Sequence, residues 1–155
     1  MGKGEESDKV DLQMTTENTE PKKQRVTIIL HSGSYDRVTN ALSLAIVALS
    51  MEMEAHILLT YEGLIRFKKG HLEDPDGTDS ELFGMMQKGI DSGRFHTIEE
   101  KLETAHEMGL KLYACTTAIA TLMIEKEDLV EEVDEVMGLT AFMNLAREAA
   151  INWYI

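Results

Sequence analysis

The stretch Leu110–Ile124, LKLYACTTAIATLMI, predicts a buried β-strand that runs directly into an α-helix. Residues 110–114 form a short apolar run, which is typical of a strand inside a parallel sheet. The only cysteine of the chain, Cys115, lies where this strand ends and the helix begins. Because ligands bind at this edge of open parallel α/β sheets, Cys115 is the first candidate for a functional residue.

Strand-like and helix-like segments alternate along the chain from Arg25 onward. β-branched and apolar runs predict further strands at 25–31, 54–61, 135–137 and 151–155. Helical spacing and capping residues predict helices at 37–51, 62–69, 79–90, 98–108, 117–125 and 140–149. This alternation predicts a single-domain, three-layer α/β sandwich: one parallel sheet, helices on both faces and right-handed crossovers.

Two segments fall outside this pattern. Residues 1–24 contain few large apolar side chains, so we predict a disordered amino-terminal tail before an α/β domain at 25–155. Residues 70–93 combine an acidic loop, containing Pro75, with a helix, and we interpret them as a helical insertion. In the turn after the first strand we expect Gly33 to adopt an unusual backbone angle and Ser34 or Asp36 to cap the helix.

The composition excludes several kinds of partner. The 155 residues include 28 acidic and 15 basic ones, a formal net charge of -13 that repels nucleic-acid backbones and anionic membrane surfaces. The longest apolar stretch, Ala41–Met53, is well short of the roughly 20 residues that a membrane span needs. One cysteine cannot form an internal disulfide, and the amino terminus has no signal-peptide pattern, so we expect a cytoplasmic protein.

Polar or small residues end or follow four of the five predicted strands at the edge where Cys115 lies. They are His31, Ser32, Gly33, Thr60, Tyr61, Gly63, Cys115, Thr116, Thr117, Gly138 and Thr140. A thiol at the start of a helix meets the positive end of the helix dipole, which favours the thiolate. A free cysteine is also among the residues most often buried as a small hydrophobe. From the residues alone, Cys115 is either a reactive thiol or an inert core residue.

Several motifs are absent from the sequence. It contains no GxGxxG, no phosphate-binding loop and no CxxC, which argues against nucleotide sites, dithiol exchange and a cysteine-rich zinc site. The acidic residues Glu73, Asp74, Asp76 and Asp79 do not follow the calcium-loop pattern. We therefore predict no metal and no cofactor. Of the five histidines only His31 follows a strand at this edge, and a structural role is favoured for it over a catalytic one.

Two blocks of sequence resemble the DsrE/DsrF-like family of sulfur-relay, TusD-like proteins. They are RVTIILHSGSYDRVTNALSLAIVALSMEMEAHILLTYEGL at 25–64 and LKLYACTTAIATLMIEKEDLVEEVDEVMGLTAFMNLA at 110–146. The resemblance implies a flavodoxin-like, five-stranded parallel sheet, a homo-oligomer and a role in intracellular sulfur trafficking. It also implies that Cys115 carries sulfane sulfur as a persulfide.

Two functions follow for this edge of the sheet. In the first, a sulfurtransferase or sulfur carrier, Cys115 takes sulfur from a donor protein and passes it to an acceptor protein. Tyr61 would wall its pocket, and hydrogen-bond donors would come from Ser32, Gly33, Ser34, Thr116 and Thr117. In the second, the chain is a non-catalytic, homo-oligomeric binding module whose pocket holds a small anion or metabolite. An alkylation-resistant Cys115 would favour the second.

Overall fold

A computed structural model describes residues 20–155 of the chain. Its strands are β1 (Arg25–Leu30), β2 (Glu54–Leu59), β3 (Lys111–Cys115), β4 (Glu135–Met137) and β5 (Ile151–Tyr154). Its α-helices are α1 (Tyr35–Ser50), α2 (Tyr61–Arg66), α3 (Ser80–Asp91), α4 (Ile98–Glu107), α5 (Thr116–Leu122) and α6 (Leu139–Arg147). The predicted strands and helices are all present.

The five strands form one parallel sheet in the order β4-β3-β2-β1-β5. The predicted five-stranded parallel α/β sheet is therefore confirmed. In the flavodoxin order the first strand lies between the second and third, whereas here β1 lies between β2 and β5. The direction of winding reverses between β1 and β5, which brings the last strand beside the first.

The two faces of the sheet are covered to different extents. Val26, Ile28 and Leu30 of β1 point to one face and are fully buried, on the side where right-handed crossovers place α1 and α4. The other face carries Ile29 and Tyr113, and it meets α6 where the rings of Tyr113 and Phe142 pack edge to face with their centres 6.3 Å apart. Of the helices in residues 20–155, only α6 belongs to a crossover in the opposite direction, so this part of the chain covers the second face less fully.

Several element boundaries differ from the sequence prediction. α1 begins at Tyr35 and not at residue 37, because Ser34 already has the extended backbone of an N-cap. β3 includes Cys115, which pairs with Met137 of β4. α5 ends at Leu122, since Met123 adopts a left-handed backbone with φ of 51°. The capping box predicted for α4, Thr97 with Glu100, is present.

The structure describes the two irregular segments, 1–24 and 70–93, to different extents. The predicted tail, 1–24, lies mostly outside the described residues, and 20–24 are exposed without regular structure. Residues 70–93 contain a loop and α3, a helix with no buried residue. Within residues 20–155, every helix is too short or too polar to span a lipid bilayer.

The turns that follow β1 and β2 pack backbone against backbone. The Gly63 N–H donates to the carbonyl of His31 at 3.0 Å. A β-carbon on Gly63 would lie 2.2 Å from the Leu30 carbonyl oxygen, and one on Gly33 would lie 2.4 Å from that of Glu62. The expectation of an unusual angle at Gly33 is wrong: its backbone is not left-handed, and the close approach of Glu62 is what requires glycine.

Arg66 at the end of α2 fixes the loop that follows it. The residue is 4% exposed, and its guanidinium donates only to carbonyl oxygens, those of Gly33, His71, Leu72, Asp74 and Asp76. Burial lowers the pKa of this group, and the neighbouring carboxylates oppose that shift. The loop at 71–76 is thereby tied to the turn after β1.

Candidate functional site

Cys115 is the last residue of β3 and the N-cap of α5, with an extended backbone of φ -67° and ψ 126°. Only 2% of its surface is exposed. Its side chain makes no capping hydrogen bond to α5. The thiol therefore remains uncommitted at the carboxyl edge of the sheet, where parallel α/β proteins bind ligands.

A cavity of about 240 Å³ opens beside this thiol. It is larger than the ~150 Å³ apolar cavities that admit benzene. Its walls come from four of the five strand ends and from the first residue of α6. The lining residues are Ile29, His31, Thr60, Tyr61, Cys115, Thr117, Leu139 and Tyr154. A small molecule at this place would meet one thiol, one imidazole, several hydroxyls and two aliphatic side chains.

Three of these lining residues lie in one row across neighbouring strands. Leu30 pairs with Leu59, and Leu59 pairs with Ala114, in parallel register. The residue that follows each of these partners is, in turn, His31, Thr60 and Cys115. Adjacent strands lie about 4.8 Å apart, and residues in one row of a sheet point to the same face. Thr60 thus lies between the histidine and the cysteine.

The imidazole of His31 is held on three sides. Its Nδ1 lies 3.2 Å from Oγ1 of Thr60, and the two share a hydrogen bond. Its ring stacks on Tyr154 with centres 5.7 Å apart, and it meets the Tyr61 ring at 5.4 Å. Tyr61 itself has a left-handed backbone, φ 43°, which is rare for a bulky residue and collects at functional sites.

The predicted site residues fall in two separate places. Tyr61 and Thr117 line the cavity beside Cys115. Gly33 and Ser34 instead line a second cavity, also of about 240 Å³, with Arg66. The remaining two predicted residues line neither of these cavities: the Ser32 hydroxyl lies 3.1 Å from that of Ser34, and Thr116 is exposed beside Gly138.

Sequence reasoning missed several walls of the cavity. Thr60 and His31 were correctly expected at the carboxyl edge of the sheet. The period-two alternation of the strands could also have shown that they share a face with Cys115. Tyr154 and Leu139 were not predicted as site residues. Tyr154 reaches the cavity only because β5 pairs with β1, and no local pattern in the sequence carries that pairing.

A buried polar network lies on the same face, farther from the edge. His56 Nδ1 is 2.9 Å from the Tyr113 hydroxyl, and its Nε2 is 3.5 Å from Oε2 of Glu54, which accepts from Nε of Arg25 at 2.8 Å. Burial, with Arg25 nearby, lowers the pKa of His56. Burial raises the pKa of Tyr113 to about 12. His56 is therefore neutral and Tyr113 protonated in this network, which packs on the sheet face.

Three of the four acidic side chains considered as cation ligands have hydrogen-bond partners within the protein. Glu73 accepts from the Tyr35 hydroxyl at 2.6 Å and from the Glu99 N–H at 2.9 Å. Asp74 lies 2.7 Å from Nδ1 of His71, and Asp79 caps α3. Within 20–155, no group of three or more His, Cys, Asp or Glu side chains is placed to hold a metal ion.

Known proteins resemble this chain in sequence and in fold. YrkE of Bacillus subtilis (strain 168), an uncharacterised protein, is 32% identical over 156 residues, covering 85% of this chain and 97% of YrkE. The ychN protein of E. coli superposes with a TM-score of 0.60 at 17% identity, over 86% of this chain and 99% of that one.

A protein of unknown function from Methanobacterium thermoautotrophicum, MTH1491, superposes with a TM-score of 0.58 at 13% identity, over 84% of this chain and 99% of that one. These two structures share the α/β fold. The sequence pattern of the DsrE/DsrF/DrsH-like family matches residues 77–154, which include β3, Cys115 and every later element. Together with the YrkE match, it shows that the chain belongs to the DsrE/DsrF/DrsH-like family.

Proposed function

We propose that this protein is a sulfur carrier that takes up sulfane sulfur on Cys115 as a persulfide and passes it to a thiol of a partner protein. The observation that carries the proposal is that Cys115, the only thiol of the chain, lines a cavity at the carboxyl edge of the sheet. Membership of a family that is commonly involved in sulfur relay supports it.

The transfer needs one thiol and no oxidant. The Cys115 thiolate attacks the outer sulfur of a donor persulfide, R–S–SH, and the donor S–S bond breaks. The electron pair leaves with R–S⁻, which is protonated to R–SH, and Cys115–S–SH remains. A thiolate of the acceptor then attacks the outer sulfur in the same way and regenerates Cys115.

The burial of Cys115 suits a carrier that protects its cargo. A persulfide exposed to solvent exchanges with any thiol in solution, whereas Cys115, a residue that is 2% exposed and borders a cavity, meets only molecules that enter that cavity. Ile29 and Leu139 supply the apolar part of this enclosure.

The same burial also favours the second candidate, a binding module with an inert Cys115. In that function the cavity holds a small anion or metabolite, and the thiol packs as a small hydrophobe. Iodoacetamide separates the two: slow alkylation of the native protein, with rapid alkylation after unfolding, would support the binding module.

The direct test is the intact mass of the protein after incubation with polysulfide or thiosulfate. We expect the mass of one added sulfur atom on the wild type, removed by dithiothreitol. Cys115→Ser is the control and should show no addition. An unchanged wild-type mass, or the same addition on Cys115→Ser, contradicts the proposal.

The predicted assembly with copies of this chain, and with donor and acceptor proteins, stays a prediction. Apolar side chains of Leu139, Met143 and Tyr154 are exposed along α6 and β5, and surfaces of this kind mark protein contacts. Light scattering of the purified protein tests self-assembly. We expect a mass above that of one chain, and a monomer at all concentrations contradicts this expectation.

A further inference from the structure

We propose that His31 carries the proton of the sulfur-transfer step at Cys115, and that Thr60 holds its imidazole in position. The inference rests on the proposed function, because it assigns the proton transfers of the same reaction. Three observations support it: His31, Thr60 and Cys115 lie in one row across the sheet, His31 and Thr60 share a hydrogen bond, and the side chains that line the cavity include one imidazole.

The backbone of His31 is fixed on both sides, which gives the imidazole a defined place. Its N–H donates to the carbonyl of Ile155 at 2.7 Å, and its own carbonyl accepts from Gly63 at 3.0 Å. Gly63 in turn permits the close approach of α2. The position directly after β1 is thus held by β5 and α2 together.

Thr60 gives the imidazole its orientation. Thr60 is 5% exposed and lies between His31 and Cys115 in the row. When the Nδ1–H of His31 donates to Oγ1 of Thr60, the lone pair of Nε2 is left for a proton. We assign this tautomer as part of the proposal. The Thr60 hydroxyl can accept the hydrogen bond, because a hydroxyl both donates and accepts. Nε2 has no hydrogen-bond partner within residues 20–155.

The cavity wall offers no other group suited to this task. Among residues 20–155, the remaining polar side chains that line it are hydroxyls, those of Thr60, Tyr61, Thr117 and Tyr154, with no Asp, Glu, Lys or Arg. Hydroxyls of threonine and tyrosine exchange protons poorly near neutral pH, whereas imidazole is the side chain that gains and loses a proton there.

The proton balance of the transfer then closes within the site. The proton of the Cys115 thiol passes to Nε2 of His31 across the cavity that both side chains line, relayed by the bound R–S–SH, as the sulfur attacks. The S–S bond of the donor breaks, and the imidazolium gives the same proton to the departing R–S⁻. The products are Cys115–S–SH and R–SH, with neutral His31 restored and no net oxidation.

The experiment compares two small reagents that differ in the group that leaves. Cysteine hydropersulfide releases a thiolate that needs a proton, and methyl methanethiosulfonate releases a sulfinate that does not. Both react at the single thiol, so stopped-flow or quenched mass spectrometry gives each rate without interference from another cysteine. The readout is the ratio of the persulfide rate to the thiosulfonate rate.

In His31→Gln we expect this ratio to fall by about tenfold or more, within the range of general acid catalysis. A loss of access or of folding would slow both reagents equally and leave the ratio unchanged, so an unchanged ratio overturns the inference. His96→Gln is the matched control, because His96 is exposed and lies outside the cavity, and its ratio should equal that of the wild type.

Thr60 supplies an independent pair of variants. Thr60→Val keeps the shape and removes the hydroxyl, and we expect its ratio to fall as in His31→Gln. Thr60→Ser keeps the hydroxyl, and we expect it to restore the ratio to within about twofold of the wild type. Equal ratios in the valine and serine variants contradict the positioning role of Thr60.

Failure of this inference is distinguishable from failure of the proposed function. If the wild type takes up no sulfur from cysteine hydropersulfide, the proposed function is wrong and the inference falls with it. If the wild type takes up sulfur and the ratio is the same in His31→Gln, the sulfur-carrier function stands and His31 has no part in the proton transfer.

Discussion

Two cavities of about 240 Å³ each lie at the carboxyl edge of the same sheet, and they use their polar groups in opposite ways. In the first, the Arg66 guanidinium donates hydrogen bonds to five carbonyl oxygens, and His71 is paired with Asp74. In the second, the Cys115 thiol and Nε2 of His31 have no hydrogen-bond partner within residues 20–155. Equal volume therefore says little about chemistry, and the free groups are the reason why we propose the second cavity as the functional one.

The largest effect is expected at Arg66, because this buried residue donates to five carbonyl oxygens of the loop at 71–76 and the turn after β1. Arg66→Leu should lower the free energy of unfolding by about 3–5 kcal/mol, because several hydrogen bonds from a charged group, each contributing about 1.5–3 kcal/mol, are lost together. Urea unfolding followed by circular dichroism measures it.

The exposed Arg37 provides the matched control. Arg37→Ala should stay within about 0.5 kcal/mol of the wild type. Arg66→Lys keeps the charge and loses the planar fork, so it should fall between the wild type and Arg66→Leu. An Arg66→Leu protein as stable as the wild type would show that the first cavity is not held by this residue.

The next largest effect is expected at Gly33, which lies in the turn between the two cavities. Gly33→Ala places a β-carbon 2.4 Å from the Glu62 carbonyl oxygen and should destabilise by about 1–3 kcal/mol, as overpacking does. Gly84→Ala in α3 meets nothing within 4 Å and should stabilise by about 0.5–1 kcal/mol. A similar result for both variants would refute the close approach of the two turns.

How far the sequence could predict these features depends on the range of the interactions. The strands, the parallel sheet and the place of Cys115 follow from local apolar runs and from the rule that functional groups gather at the carboxyl edge. The sequence does not predict that His31 lines one cavity while Gly33 and Ser34 line the other. This division depends on the hydrogen bond from Arg66 to the Gly33 carbonyl, which joins residues far apart in the chain.

The role of the last strand was also outside the reach of local patterns. β5 was predicted at its place in the chain, but its neighbour in the sheet decides what Tyr154 contacts, and that neighbour is β1. The stacking of Tyr154 on His31 follows from this pairing. A strand order cannot be read from periodicity, which reports only which face a residue points to.

A smaller effect is expected at His56, behind the Cys115 cavity. Its folded-state pKa lies below the usual 6.5, so between the two values the unfolded chain binds one more proton. Stability is therefore complete above pH 6.5 and falls as the pH decreases through the interval below it, by at most about 1.4 kcal/mol per pH unit.

His56→Gln removes this titration, so its stability should depend less on pH in that interval. Urea midpoints at several pH values between neutrality and the carboxylate range measure the difference. His71 is half-exposed, and its replacement by glutamine serves as the control. Parallel curves for the wild type and His56→Gln would contradict the neutral state of the buried histidine.

The smallest stability effect is expected at Cys115, because its side chain borders an existing cavity. Cys115→Ala should cost about 1 kcal/mol or less, near the value for one methylene-sized group, while sulfur uptake is abolished. Thermal unfolding gives the first quantity and mass spectrometry the second. A loss as large as that of Arg66→Leu would place Cys115 among the structural core residues.

The most direct test of the central claim is the intact mass of the wild type and of Arg66→Lys after incubation with cysteine hydropersulfide. The claim that only the second cavity is reactive predicts one added sulfur on Cys115 in both folded proteins, and none in Cys115→Ser. Absence of the added sulfur in the wild type, or its presence in Cys115→Ser, would contradict the account.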